Sequence, residues 1–363
     1  MRGNLRIAAL AALVTVPACD SAEPASRPPG HEAPNSEDPR LVDTAAISVS
    51  EDACADPGAQ MRPFVITWSA DQRSALEREG ESRIAVVSVD GCEVRPLPSC
   101  GLEGAYTFRE TSADTERLMF RSQPDLEAAI PFALPQLQRH ASANDRLALE
   151  YRVRGIQHAT RPAVFRSDLG PGCDDATHFV LNYEAGAYRL DRHAARASVE
   201  QGATADLDAE SVLFSGGDVK RCPEPGACST PVRVRLVPIS EGEPPQMDET
   251  AAQLARADLS AGTRKVNLDR KQIAQVVRYA RPALVGCVRS HTVEDDAPVG
   301  KITYDFTISE TGTVAGAAPT VVGQMPPEFV ECTTDVLYSL RFPRSRDVVR
   351  VRYPLEFKPP PAE

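Results

Sequence analysis

Chemistry in this chain begins with its nucleophiles, acids and bases, and few of them form a pattern. Six histidines, His31, His140, His158, His178, His193 and His291, are scattered along 363 residues. No GxSxG elbow, HExxH pair or phosphate-cradling glycine loop accompanies them. Asp174 and Asp175 stand four and three residues before His178, and a hydrolase would use His178 with one of them. The plainer reading of the pair, and of Glu294-Asp295-Asp296, is a solvated acidic loop without the ligand spacing of a calcium site. No catalytic residue, cofactor or metal ligand is assigned.

Cysteine carries more information. There are nine. Residues 1–18 read as an export signal, with Arg2 and Arg6 ahead of an apolar run from Ile7 to Val16 that is too short to span a bilayer. Val16-Pro17-Ala18-Cys19 resembles a lipobox, which implies that Cys19 carries lipid, palmitate included. The alternative is an ordinary signal peptide cut near this point. The remaining eight cysteines are an even number, as expected of an exported disulfide-bonded protein. They are Cys54, Cys92, Cys100, Cys173, Cys222, Cys228, Cys287 and Cys332. Proximity suggests Cys92–Cys100 and Cys222–Cys228, which leaves Cys54 and Cys173. Cys287 and Cys332 are alone in the last ninety residues and are expected to pair. No CxxC supports zinc.

A third group is basic. Arg341, Arg344, Arg346, Arg350 and Arg352 cluster near the C-terminus. Alternation points Arg350 and Arg352 outward from a strand. They read either as a solvated face or, with Arg344 and Arg346, as a contact for an acidic envelope protein or anionic envelope polymer.

The elements that carry these residues follow from periodicity. Residues 19–49 are rich in Pro, Ser, Ala and acids and read as a tether. Residues 50–239 read as a sheet-rich α+β domain. A short strand is expected at Phe64, Ile66 and Trp68, and a capping box at Ser69 to Gln72 opens a helix. Further strands are expected from Ile84 to Val89, across an Asp90-Gly91 hairpin to Leu97, and from Gly104 to Arg109. Others run from Arg117 to Phe120, Asp145 to Arg154, Thr177 to Leu190 and Pro231 to Ile239. A helix is expected from Pro124. Residues 240–268 form an acidic linker with a short helix from Glu249 to Asp258.

Residues 269–358 form the last unit. Ile273, Val277, Ala280, Leu284 and Cys287 recur at helical steps, and Pro282 predicts a kink or two short helices. Ile302, Tyr304, Phe306 and Ile308 alternate with polar residues, as do Val349, Val351, Tyr353, Leu355 and Phe357. A weaker strand from Thr313 to Val322 carries Pro319, which suits an edge. A second helix places Phe329, Cys332, Val336 and Leu340 inward.

The helix ending in Cys287, the run Gly300-Lys301-Ile302-Thr303-Tyr304-Asp305-Phe306-Thr307-Ile308, Gly312-Thr313-Val314, Glu331-Cys332, Arg341-Phe342-Pro343 and Tyr353-Pro354-Leu355-Glu356-Phe357 together resemble the TonB C-terminal domain. They are more similar still to the AgmX/PglI-type tail domain of myxobacterial envelope proteins. The resemblance covers about a quarter of the chain. It implies an α-β-β-α-β module and an envelope location, and carries no catalytic residues. Cys173, Ala176-Thr177-His178-Phe179 and Gly186-Ala187 resemble an uncharacterised region of myxobacterial lipoproteins. The Thr177-His178-Phe179 to Gly186-Ala187 run is also similar, with departures, to the membrane-attack-complex/perforin signature.

Net charge of −11 argues against nucleic acid as a partner. The reading is therefore a non-enzymatic, lipid-anchored cell-envelope protein with an interaction module at its C-terminus. The alternatives are a hydrolase in the middle domain, or a perforin-like membrane-active protein.

Overall fold

Strand β9 (His178–His193) is buried along nearly its whole length, and the fold is assembled on it. The computed structural model describes residues 40–41, 54, 60–79, 82–111, 115–120, 130, 132, 146–193, 212–222, 224, 228–245, 267–292 and 297–358. The export signal, Cys19, the tether, most of the helix expected from Pro124, the linker helix and the Glu294 run lie outside them.

In chain order the described elements begin with β1 (Arg40–Leu41), α1 (Ala70–Glu79), β2 (Arg83–Ile84), β3 (Val86–Asp90), β4 (Glu93–Pro96), β5 (Leu102–Glu103), β6 (Tyr106–Glu110), β7 (Thr115–Phe120) and β8 (Arg146–Ala159). After β9 come β10 (Val212–Gly216), β11 (Thr230–Pro238), α2 (Arg270–Tyr279), α3 (Arg281–Ser290), β12 (Val299–Ile308), β13 (Val314–Gln324), α4 (Pro327–Tyr338) and β14 (Val349–Phe357). The architecture is sheet-rich α+β.

One edge of β9 pairs with β11 and then β10, the other with β8, and β3 pairs with its first two residues. β6 and β7 follow each other along the outer edge of β8. The small-residue patch at Ala185-Gly186-Ala187 has a steric cause: a Cβ on Gly186 would lie 2.0 Å from the Arg152 carbonyl oxygen.

Phe64, Ile66 and Trp68 do not form a strand. The segment runs beside β11 with isolated bridges Met61–Leu236 and Phe64–Arg233. Ser69 and Gln72 exchange the capping-box hydrogen bonds at the start of α1 (3.2 and 2.8 Å). Asp269 and Gln272 do the same for α2 (2.8 and 3.1 Å). Two helices, α2 and α3, stand where Pro282 interrupts the periodicity, with the proline in the first turn of α3.

The last three strands form a separate sheet in the order β13-β12-β14. Ile302, Tyr304, Phe306 and Ile308 are buried against α2, α3 and α4. Between β12 and β13, Gly312 takes φ +84 and donates to the Ser309 carbonyl (2.9 Å).

Residues 39–363 form one compact unit. A single hydrophobic cluster includes Val86, Ala159, Phe179, Leu181 and Val237 from the large sheet and Ile273, Cys287, Tyr304, Phe329 and Leu340 from the tail. Polar ties reinforce it. Gln60 donates to the Ala283 carbonyl, Arg235 pairs with Asp335 at 2.9 Å, and Arg62 bridges Glu184 and Glu331. Arg235 and Asp335 are both buried.

Four disulfides are present: Cys54–Cys92, Cys100–Cys173, Cys222–Cys228 and Cys287–Cys332. Two expected pairings are thereby corrected. Cys92 lies in the turn before β4 and Cys100 in the turn after it, so the strand separates the two turns that carry them. Cys92 turns back to Cys54, and Cys100 joins Cys173 with Cα atoms 4.8 Å apart. Cys287–Cys332 joins α3 to α4 inside the core. Four such bonds are the chemistry of an oxidising, extracytoplasmic compartment. Among the described residues no helix is long and apolar enough to cross a membrane.

Candidate partner-binding surface

Among the described residues the tail sheet has two open edges, β13 and β14, and register fixes the direction of their backbone groups. Ala317 donates its N–H to the Tyr338 hydroxyl of α4 (3.3 Å) rather than to Phe306 opposite. Donors alternate inward and outward in an antiparallel pair. The amides at 317, 319, 321 and 323 therefore face the open side of β13. Position 319 is proline and lacks one. Carried across β12 through the registers Phe306–Val351 and Thr303–Pro354, the alternation turns positions 350, 352, 354 and 356 of β14 outward. Position 354 is again proline. Each edge thus carries one proline whose missing N–H falls on the open side, which blunts unrestricted pairing.

The two edges differ in charge. β13 has no charged residue, and its outer half is exposed, Val322 most of all (66%). β14 alternates Val349, Val351, Tyr353, Leu355 and Phe357, half-buried, with exposed Arg350, Arg352, Pro354 and Glu356. Arg344 and Arg346 are exposed just before it, while Ser345 between them is buried and donates its N–H to the Glu310 carbonyl (3.1 Å).

These arginines are not equivalent. Arg352 forks onto Asp305 across the β12–β14 pair at 2.7 and 2.9 Å. That hydrogen-bonded fork holds the Asp305 carboxyl below the usual carboxylate range and raises the Arg352 guanidinium. Arg344, Arg346 and Arg350 make no ion pair among the described residues. Arg350 sits opposite uncharged Thr307. Free positive charge is thus concentrated at the start of β14, beside the outward amides of 350 and 352. Arg341, adjacent in sequence, is buried and belongs to the interior.

The other residues singled out in the sequence lie elsewhere. His178 is fully buried in β9, with Nδ1 2.9 Å from the Thr177 hydroxyl. Thr177 accepts from the Val89 N–H at 2.8 Å. A cleft of about 650 Å³ is lined by Asp174, Asp175 and Thr177, with Arg95 3.6 Å from Asp175, and His178 is not part of its lining. The geometry does not bring His178 and Asp174 together at a cavity wall. Among the described residues no group of three His, Cys, Asp or Glu side chains could hold a metal ion.

Sequence reasoning missed a buried polar layer between the large sheet and α4, containing His158, Asn182, Arg235, Asp335 and Arg341. Its one available signal was the set of charged residues interrupting apolar strands at Arg235 and Glu184.

Comparison with protein-family models, with curated proteins and with solved structures returns no match for this chain.

Proposed function

We propose that this protein is a lipid-anchored component of the cell envelope, held by Cys19 and a tether. Its tail sheet docks an acidic extended segment of an envelope protein, or an anionic envelope polymer, along β14. One observation supports this reading above the others: a strand edge that is open among the described residues, with outward amides at Arg350 and Arg352, flanked by the exposed guanidinium groups of Arg344, Arg346 and Arg350, which make no ion pair with those residues. Main-chain pairing would supply affinity, and the guanidinium groups would select acidic sequence and steer its approach. Pro354 limits the paired stretch to the first half of the strand. The role is binding, not catalysis.

The test is the triple substitution Arg344→Glu, Arg346→Glu and Arg350→Glu. All three side chains are exposed, so the fold should survive, whereas Arg352→Glu would set two acids against each other at Asp305. Wild type should bind labelled polyglutamate with an affinity that falls as salt rises. It should also retain a salt-sensitive partner from solubilised envelopes. The triple variant should do neither. Equal binding by both proteins at low and high salt would overturn the reading.

A further inference from the structure

The buried polar layer holds more positive charge than its carboxylates neutralise. Register sets Thr107 of β6 beside His158 of β8, His158 beside Asn182 of β9, and Asn182 beside Arg235 of β11. Directly opposed residues on adjacent strands share a face, so these four make a row across the sheet, and Arg109 lies on the same face two residues beyond Thr107. The C-terminal end of α4 covers the row. Asp335 accepts from Arg235 Nε at 2.9 Å. The Tyr338 ring lies 4.3 Å from the Arg109 guanidinium carbon and 5.4 Å from the His158 ring. Arg341 donates to the carbonyls of Tyr338 (3.0 Å) and Leu340 (2.8 Å) and to the Thr107 hydroxyl.

Three guanidinium groups, of Arg109, Arg235 and Arg341, therefore share one carboxylate, and Arg235 occupies it. Glu184, two residues along β9, is taken up by Arg62 and Arg233. Arg341 is 4% exposed and has no acidic partner among the described residues. Burial pushes its guanidinium down to about 10. Among the described residues several donors in the layer have no hydrogen-bond acceptor: Nε of Arg109, Nε of Arg341 and Nδ2 of Asn182, while both ring nitrogens of His158 are also without a hydrogen-bond partner there. A buried cation is costly unless paired, and buried donors are normally satisfied. The unmet need is on the donor side, and its net sign is positive.

We propose that this layer is a binding site for one small anion of chloride size and charge, held between Arg109 and Arg341 beside Tyr338. Arg341, His158 and Asn182 are interior and form its floor. Arg109 is half-buried and opens the site to solvent. The anion completes the charge balance of the contact between α4 and the large sheet. Its occupancy therefore tightens the tail against the rest of the chain.

The test uses the full chain with disulfides intact and Cys19→Ala for solubility. Thermal midpoints are measured while sodium chloride replaces sodium gluconate at constant ionic strength, with chloride-35 NMR line width as a direct reading of binding. Wild type should gain about 2–4 °C as chloride approaches ten times its dissociation constant, and above that the gain should grow with the logarithm of chloride concentration. Arg109→Gln, at the half-buried rim, should lose most of the gain and narrow the chloride line. Arg341→Met should remove both. If it fails to fold, wild type and Arg109→Gln still decide. A wild-type midpoint that stays the same as chloride replaces gluconate would overturn the proposal. So would a full chloride response in Arg109→Gln.

Discussion

Replacing Asp335 with alanine should be among the most damaging single changes in the tail. Asp335 stands on α4 and is 4% exposed, and Arg235, its partner on β11, is 5% exposed. Neither charge can turn to water without parting the two elements. Their direct attraction is about 4 kcal/mol for charges some 4 Å apart at an effective dielectric near 20. Losing one partner strands the other in the interior, and such losses cost about 3–5 kcal/mol. The cost arises mainly from the orphaned guanidinium, not from the bond itself. Removing both charges with Arg235→Met and Asp335→Leu should therefore recover most of the stability. Urea unfolding with disulfides intact can be followed by the single tryptophan, Trp68, which is buried against the opposite side of the sheet. Asp335→Ala should shift the midpoint sharply without changing the slope, and the double variant should return close to wild type. A loss below about 1 kcal/mol for the single change, or a double variant as unstable as the single, would refute the orphaned-charge reasoning.

Replacing Cys287 and Cys332 together with alanine opens a loop of sequence separation 45 and should cost about 4 kcal/mol in the loop-entropy model, read by urea unfolding. Gly312→Ala should cost about 1–3 kcal/mol, because φ is +84 and the new Cβ would meet the Phe342 carbonyl oxygen at 2.0 Å; thermal melting checks it. His158 is pushed down to about 4 by burial, with Arg109, Arg341 and Arg235 adding to that and Asp335 opposing it. A depressed histidine binds protons more readily unfolded, so its contribution is complete above about 6.5 and is lost as pH falls toward 4. The loss should approach about 3 kcal/mol, and His158→Gln should flatten that part of the pH profile. Cys19→Ala should release the protein from membranes; unchanged fractionation with no acyl group on wild type would sink the anchor.

The tail was the more legible part of the fold. Period-two alternation at Ile302 to Ile308 and at Val349 to Phe357 depends on one buried face, and each strand has one. Pro282 marked the break between α2 and α3 because proline cannot continue a helix interior. The middle region was harder to read. Its central strand is buried on both sides, so alternation disappears and the length of β9 is understated. The Phe64 to Trp68 alternation begins where Met61, Pro63 and Val65 exchange backbone hydrogen bonds with Val232, Val234 and Leu236 of β11, but the pairing stops before Ile66 and Trp68 and no continuous strand forms. Disulfide partners depended on strand direction, which spacing alone does not reveal. The exposed arginines were visible as charges, but the Arg352–Asp305 fork needed the β12–β14 register. The layer around His158 is assembled from four strands and a helix far apart in sequence, and no local pattern announces it.

The four disulfides follow one another along the chain without overlapping, and this has a mechanical consequence. A pull applied at both ends cannot straighten residues enclosed by a bond. Force instead passes from Cys54 to Cys92, from Cys100 to Cys173, from Cys222 to Cys228 and from Cys287 to Cys332 through sulfur. The Cys100–Cys173 loop alone, with a sequence separation of 73, withholds about 250 Å of contour from extension. Oxidised, the chain therefore extends less under load than its length implies, and reduction would release the four enclosed loops as added contour.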